Sequence, residues 1–399
     1  MKMSRTTAIT AMGVVVLLLA GCSGPGGANP GSSAAAMTKC LTDTAGAVSS
    51  ASQPASTTIT PSTGFAANAI IGVSLPDDQS MKWIEAKPMF NKTLTAAGYR
   101  PIVQVAINGV SDQQNQIDAL VKQGISVLVV GPIDSSALGS QLDAAKAAGI
   151  TVIAYDRQLI DTGSVDMYVS YDNFLAGQLQ GQALIQGMLM TQGPPPYNIE
   201  LMAGAPDDVA STPLFAGAMS VLQPGIECGA LVIRSRQTSQ NQVSTPGWLP
   251  ANAKKRVDAI LANYYTSDTL NGILVPTDAM ARAALESLSD AEKTDQRTVI
   301  TGQDSETESI PLVMAGSQYM TIYRDTQGLV DEVTTIIGLL QQGQPVPVSD
   351  TTIYNNGNKI VPAVLLTPQA VTASNAAEVY ANDASRIGCT QDPPANCQQ

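Results

Sequence analysis

From Ala69 onward, short β-rich apolar runs alternate with longer helical patterns, and this alternation limits the chain to very few architectures. Runs at 70–75, 102–106, 126–130, 151–154 and 167–170 are each followed by a polar turn, and all but the fourth then lead into a helix-period stretch. Gly98, Gly124 and Gly149 stand where helix ends favour a left-handed residue. After the break at Gly193-Pro194-Pro195-Pro196 the pattern resumes, with runs at 199–202, 231–233, 272–275, 299–301 and 319–323. Repeated βαβ units of this kind form parallel sheets with helices on both faces. The expectation is an α/β protein of two doubly wound parallel-sheet domains with a cleft between them.

The ends of the chain read differently. Lys2 and Arg5 precede the apolar segment 11–20, which closes on Leu19-Ala20-Gly21-Cys22. A basic start, a short apolar core and small residues mark a secretory leader. The last four of these residues are similar to the bacterial lipobox, which implies lipidation of Cys22 at the outer face of a cytoplasmic membrane. Residues 23–65 are rich in Gly, Ser, Ala, Thr and Pro and are expected to form a flexible tether. The segment from about Arg386 also looks irregular. The formal net charge is −12, and it becomes −14 without Lys2 and Arg5. Such acidity argues against nucleic acid or an anionic membrane surface as a partner. The chain has no histidine, so Ser-His-Asp and Cys-His catalysis and histidine metal sites are excluded. Cys40, Cys228, Cys389 and Cys397 suit disulfides in an exported protein, with three pairings open. A staple of the N-terminal segment or the C-terminal tail is preferred.

Ligands of open α/β sheets bind beyond the carboxyl ends of the strands. There the sequence repeatedly places planar polar groups. Lys82 and Trp83 follow the first strand, and Asp156-Arg157 follows the fourth. Asp207-Asp208, Asp278, Gln303-Asp304 and Arg324-Asp325 follow strands of the second half. A lone aspartate at such a position is often a helix cap, and Asp134 before Ser135-Ser136 is read that way. A series that includes two guanidinium groups goes beyond capping and suits a polyhydroxylated ligand. Trp83 and Trp248, the two tryptophans, sit in polar, turn-like sequence, as indoles that cover sugar rings do.

The segments IGVSLP, KWIEAKP, QVAINGVSDQQNQIDALVKQGISVLVVGPID, VIAYDRQLI, VSYDNFLAGQLQGQAL, IELMAGAPDD, GAMSVLQP, ITGQDSE, YMTIYRDT and YNNGNKIVPAVLLTPQAVT carry a family resemblance. From Ile71 to about Tyr380 the chain resembles the periplasmic sugar-binding proteins of ABC transporters, with the type I periplasmic-binding-protein fold. Within them it is most similar to the xylose-binding and multiple-monosaccharide-binding branch. The resemblance implies two discontinuous lobes closing on one sugar across three hinge crossings, placed near Asp172-Asn173, Gln303-Asp304 and Arg324-Asp325. It divides the chain into a leader (1–21), a tether (22–65), a first lobe (66–172 with 304–325), a second lobe (173–303 with 326–385) and a tail (386–399). It implies sugar contacts at Lys82, Trp83, Asp156, Arg157, Asp208, Trp248, Asp278, Asp304 and Arg324, with no cofactor or metal. The implied partners are a monosaccharide and an ABC permease; the membrane is met only through the lipid, and the chain is expected to be a monomer. Three departures leave the sugar's identity open. Pro206-Asp207-Asp208-Val209-Ala210 replaces a Pro-Asp-Asp-Asn-Asn pattern, Lys82 stands where Arg is common, and Arg324 stands where Lys is common. Two rival readings are a binding protein that presents its ligand to a membrane receptor, and a secreted glycoside hydrolase using Asp207 or Asp208 with Asp278.

Overall fold

The structure is a computed structural model that describes residues 33–46, 57–59, 64–77, 80–294 and 297–391. The expected leader, the lipidation site Cys22, and Cys397 lie outside the described residues. In chain order the elements begin with α1 (Ala34–Gly46), β1 (Thr57–Ile59), β2 (Ile70–Leu75), α2 (Met81–Ala96), β3 (Arg100–Val105) and α3 (Val110–Lys122). They continue through β4 (Val127–Val130), α4 (Gly139–Ala147), β5 (Thr151–Tyr155), β6 (Met167–Tyr171), α5 (Asn173–Thr191), β7 (Tyr197–Leu201), α6 (Ser211–Glu227) and β8 (Leu231–Val232). Then come α7 (Gln240–Val243), α8 (Pro250–Tyr264), β9 (Gly272–Leu274), α9 (Asp278–Asp290), β10 (Val299–Ile300), α10 (Ile310–Met314) and β11 (Thr321–Tyr323). The chain finishes with α11 (Thr326–Gln341), β12 (Val346–Val348), β13 (Ala363–Leu366), β14 (Gln369–Val371) and α12 (Ala376–Val379).

Six parallel strands in the order β3-β2-β4-β5-β6-β13 form the first sheet. Its strands are apolar on both faces because helices cover both. Val127 and Val129 of β4 join Phe90, Leu94, Leu329 and Val333 in one core. The intervening Leu128 and Val130 join Ile117, Leu120 and Leu142 in another. The two-residue period thus sends alternate side chains of one strand into two separate cores. Four parallel strands in the order β8-β7-β9-β10 form the second sheet. Each sheet reverses direction beside its first strand, between β2 and β4 and between β7 and β9. At such a reversal the neighbouring loops splay apart and open a crevice.

Sheet pairing corrects the expected division of the chain. β13 adds to the first sheet beside β6, and α11 lays Leu329, Val333 and Ile336 on that sheet next to α2. Residues 326–366 therefore belong to the first lobe, not the second. Conversely, β11 pairs antiparallel with β14, and Met320 and Ile322 pack on Ala176, Ala183 and Leu214 of the second lobe. Residues 304–323 therefore stay in the second lobe. From β2 onward the crossings fall between β6 and α5, between β11 and α11, and between β13 and β14. Gln303-Asp304 is not one of them: the Asp304 amide donates to the Ile322 carbonyl inside the second lobe.

The expected tether and tail are also corrected in part. Within 22–65, α1 docks on the second lobe, burying Leu41 and Ala45 against a core that includes Val221 and Leu222, and Cys40 is disulfide-bonded to Cys228. β1 pairs antiparallel with β12. In the tail, Ile387–Thr390 forms a 3-10 turn whose Cys389 is fully buried and disulfide-bonded. These segments fold because each carries a few apolar residues that a low-complexity composition hides.

Helices α5 and α6 cross at glycine. A Cβ at Gly177 would come within 1.9 Å of the Leu214 carbonyl oxygen, and one at Gly217 within 2.0 Å of that of Phe174. Both obstacles are backbone and cannot rotate aside. Gly177→Ala is expected to destabilise the chain by about 1–3 kcal/mol through overpacking, read as a lower midpoint in urea unfolding at unchanged slope.

Candidate functional site

A cavity of about 350 Å³ lies between the carboxyl ends of the two sheets. That is at the small end of the roughly 300–1,000 Å³ of small-molecule sites. Eight of the nine expected contact residues line it: Lys82, Trp83, Asp156, Arg157, Asp208, Trp248, Asp304 and Arg324.

The first lobe supplies Lys82 and Trp83 from the opening turn of α2, and Asp156-Arg157 from the end of β5. Trp83 is 2% exposed, its indole edge-on to Tyr155 at 6.0 Å between ring centres. The Lys82 ammonium and Arg157 guanidinium lie 5.1 and 5.5 Å from the indole centre, within cation–π range. Asp156 holds the left-handed φ of 62°, which is uncommon outside glycine. Its carbonyl accepts from the Tyr168 hydroxyl at 2.8 Å and the Ser170 hydroxyl at 3.0 Å, which fix the kink. The kink turns the carboxylate into the cleft, where it pairs with Lys82 and, at 3.7 Å, with Arg324.

The hinge and the second lobe complete the ring. Arg324, at the crossing after β11, donates to Asp304 at 2.7 Å and to the Asn173 side-chain carbonyl at 3.2 Å. One guanidinium thereby joins the first lobe, the hinge and the second lobe. Arg157 Nε lies 3.3 Å from Asp208 Oδ2, a direct ion pair across the cleft. Trp248 is carried on a tight turn in which Gly247 has φ 66° and Trp248 φ 57°. Its ring occupies the space beside Gly204, where a Cβ would come within 2.0 Å of it. That glycine is what lets the indole reach the cavity wall.

Asp278 is the exception. It is fully buried beneath the wall, and its neighbours Thr277 and Ala279 line the cavity instead. Its carboxylate accepts from Gln318 Nε2 at 2.7 Å, Thr321 Oγ1 at 2.9 Å and the Glu306 amide at 2.9 Å. Burial, and then the nearby Glu306, push its carboxyl well above the usual range. Asp278 therefore braces the Asp304 turn and does not line the cavity. The sequence reading missed Asn173 and Glu306 as wall residues, while Gln303, noted at its strand end, does line the cavity. Asn173 could have been found, since an amide at a strand-to-helix crossing is the same signal used for its neighbours. Glu306 carried no distinguishing pattern.

Burial alone would raise the Asp156 carboxyl, but Lys82, Arg324 and Arg157 together outweigh it and hold the group below its ordinary value. Lys82 is lowered by burial and by Arg324, against the opposing pull of Asp156. Lys82, Arg157 and Arg324 are thus each paired with a wall carboxylate, Asp156, Asp208 or Asp304.

Two lobes that share a polar cavity, joined by guanidinium bridges and faced by one indole from each side, define a cleft-type binding protein for a small polar solute. Comparison with known proteins places the chain within that class. A family model described as a periplasmic binding protein domain matches residues 71–345. Over 308 residues the chain is 38% identical to the multiple sugar-binding periplasmic receptor ChvE of Rhizobium radiobacter, spanning 76% of this chain and 87% of the relative. Over 314 residues it is 33% identical to the D-xylose-binding periplasmic protein of Escherichia coli, spanning 78% and 89%. An ABC transporter solute-binding protein from Clostridium phytofermentans, solved with bound β-D-glucose, matches with a TM-score of 0.75 at 33% identity, covering 79% of this chain and 97% of that one. The chain belongs to the periplasmic binding protein family, with the type I fold. Its relatives are named as binding proteins and receptors, in line with the expectation of a binding protein and not an enzyme.

Removing the Asp156 carboxylate would leave Lys82 and Arg324 buried without their shared counter-ion. Asp156→Ala is expected to cost about 3–5 kcal/mol of stability. Because the folded carboxyl lies below its unfolded value, its contribution is present above the unfolded pKa, roughly 3.9, and is lost as pH falls through the folded value. Urea midpoints measured from pH 7 to pH 3 should converge for wild type and variant only below about pH 4.

Proposed function

We propose that this chain captures a monosaccharide of the xylose, glucose, galactose or arabinose class between its lobes and delivers it to an ABC permease. The observation that carries this reading is the Asp156–Arg324–Asp304 bridge with Trp83 and Trp248 facing the same cavity from opposite lobes. Carboxylates accept from sugar hydroxyls, guanidinium forks and the Lys82 ammonium donate to ring and hydroxyl oxygens, and the indoles cover the C–H faces. The names of the relatives, which include a D-xylose-binding protein and a structure holding β-D-glucose, support a neutral sugar as ligand.

Closure brings the two half-sites together, so bound sugar shifts the population toward the closed form, which the permease would recognise. The leader and the Leu19-Ala20-Gly21-Cys22 sequence support an extracytoplasmic protein held to the cell membrane by lipid on Cys22.

Calorimetry and intrinsic tryptophan fluorescence with D-xylose, D-glucose, D-galactose and L-arabinose test the reading. At least one sugar is expected to bind saturably at one site per chain. Asp304→Ala is expected to weaken it roughly 10- to 100-fold, as the loss of a hydrogen bond to a charged group would. No heat and no fluorescence change with any sugar would refute the assignment.

A further inference from the structure

Arg386 lies in a segment that composition marks as a loose tail, yet it is 5% exposed. Its Nε donates to the Ser305 carbonyl at 2.8 Å, and its Nη1 to Asp383 at 2.9 Å. Its Nη2 reaches both oxygens of Glu85, at 3.3 and 3.1 Å. The guanidinium also stands 5.7 Å from the centre of the Tyr323 ring. Ser305, Asp383 and Tyr323 belong to the second lobe, whereas Glu85 is on α2 of the first. Neither Glu85 nor Arg386 touches the cavity.

Both ends of this bridge adjoin the site. Glu85 is two residues beyond Trp83 on the same helix. Ser305 follows Asp304, and these two hold successive left-handed φ values of 91° and 50°. Two such strained residues in a row persist only where the surroundings enforce them. The enforcement is visible at Ser305. Its amide donates to Thr321 Oγ1, its hydroxyl accepts from Tyr380, and its carbonyl accepts from Arg386.

We propose that Arg386 is a positioning residue for the pocket, tying the turn that presents Asp304 to the helix that presents Lys82 and Trp83. It sets the separation of the two half-sites without touching the ligand. A planar fork is required, because one group must satisfy a carbonyl, an aspartate and a glutamate in three directions. A lysine ammonium at the end of a flexible stem cannot do so. The effect on sugar affinity rests on the function proposed above.

The test uses the full chain with Glu85→Gln, which leaves every second-lobe contact of Arg386 in place, and Arg386→Lys. With a sugar that the wild type binds, both variants are expected to bind about tenfold more weakly, through faster release in stopped-flow fluorescence. The thermal midpoint of ligand-free Glu85→Gln should stay near that of wild type. Wild-type affinity and release rate in both variants, whatever their thermal midpoints, would overturn the proposal. If the wild type binds none of the sugars, the functional reading fails by itself. Small-angle scattering of the ligand-free proteins then decides the structural one: a larger radius of gyration in Glu85→Gln supports the bridge, and an unchanged one overturns it.

Discussion

The site depends on one buried carboxylate shared by two cations. Asp156 sits between Lys82 and Arg324, and each of these is held in turn by something else: Lys82 by its place on α2, Arg324 by Asp304 and Asn173. An isolated buried carboxylate would take up a proton or draw in water. Flanked by two cations it stays ionised and fixed, and as an ionised group it can accept from a hydroxyl without reorganising. The strained backbone at Asp156 and Asp304 follows from the same demand. Each carboxylate has to leave the line of its strand and point across the crevice, and the surrounding hydroxyl and amide donors hold it there.

The parallel sheets were legible because buried parallel strands need continuous apolar runs, and helices between them need capping glycines. The site was legible for a related reason. Loops after parallel strands share one end of a sheet, so polar residues at those positions converge without being close in sequence. This logic found Asp156, Arg157, Asp208 and Asp304 together, whereas Arg324 follows β11, which pairs antiparallel with β14, and reaches the site through the crossing after it. It failed at Asp278, where Thr277 and Ala279 face the cavity and the residue between them points inward. Position after a strand fixes the end of the sheet, whereas one residue of rotation around a helix start decides which way a side chain faces.

The lobe boundaries were harder to read because they depend on pairing across long separations. β13 joins β6 nearly two hundred positions away, and nothing in Ala363–Leu366 specifies that neighbour. Gln303-Asp304 was placed as a crossing on the family resemblance. It is instead a turn that returns to its own lobe through β11. The terminal segments were misread for a compositional reason. A Gly, Ser and Ala background masks isolated anchors such as Leu41 and Arg386, each of which packs on or bonds a partner far away in sequence, whereas the expected staple of the N-terminal segment is present as Cys40–Cys228.

The docking of α1 on the second lobe has a mechanical consequence. Because Cys40 is covalently joined to Cys228, any pull on the amino-terminal end is delivered to α6 and bypasses the hinge. Under the proposed lipid attachment, the second lobe would be the base and the first lobe the half that swings. Tension transmitted through such an attachment would then leave the open–closed balance untouched.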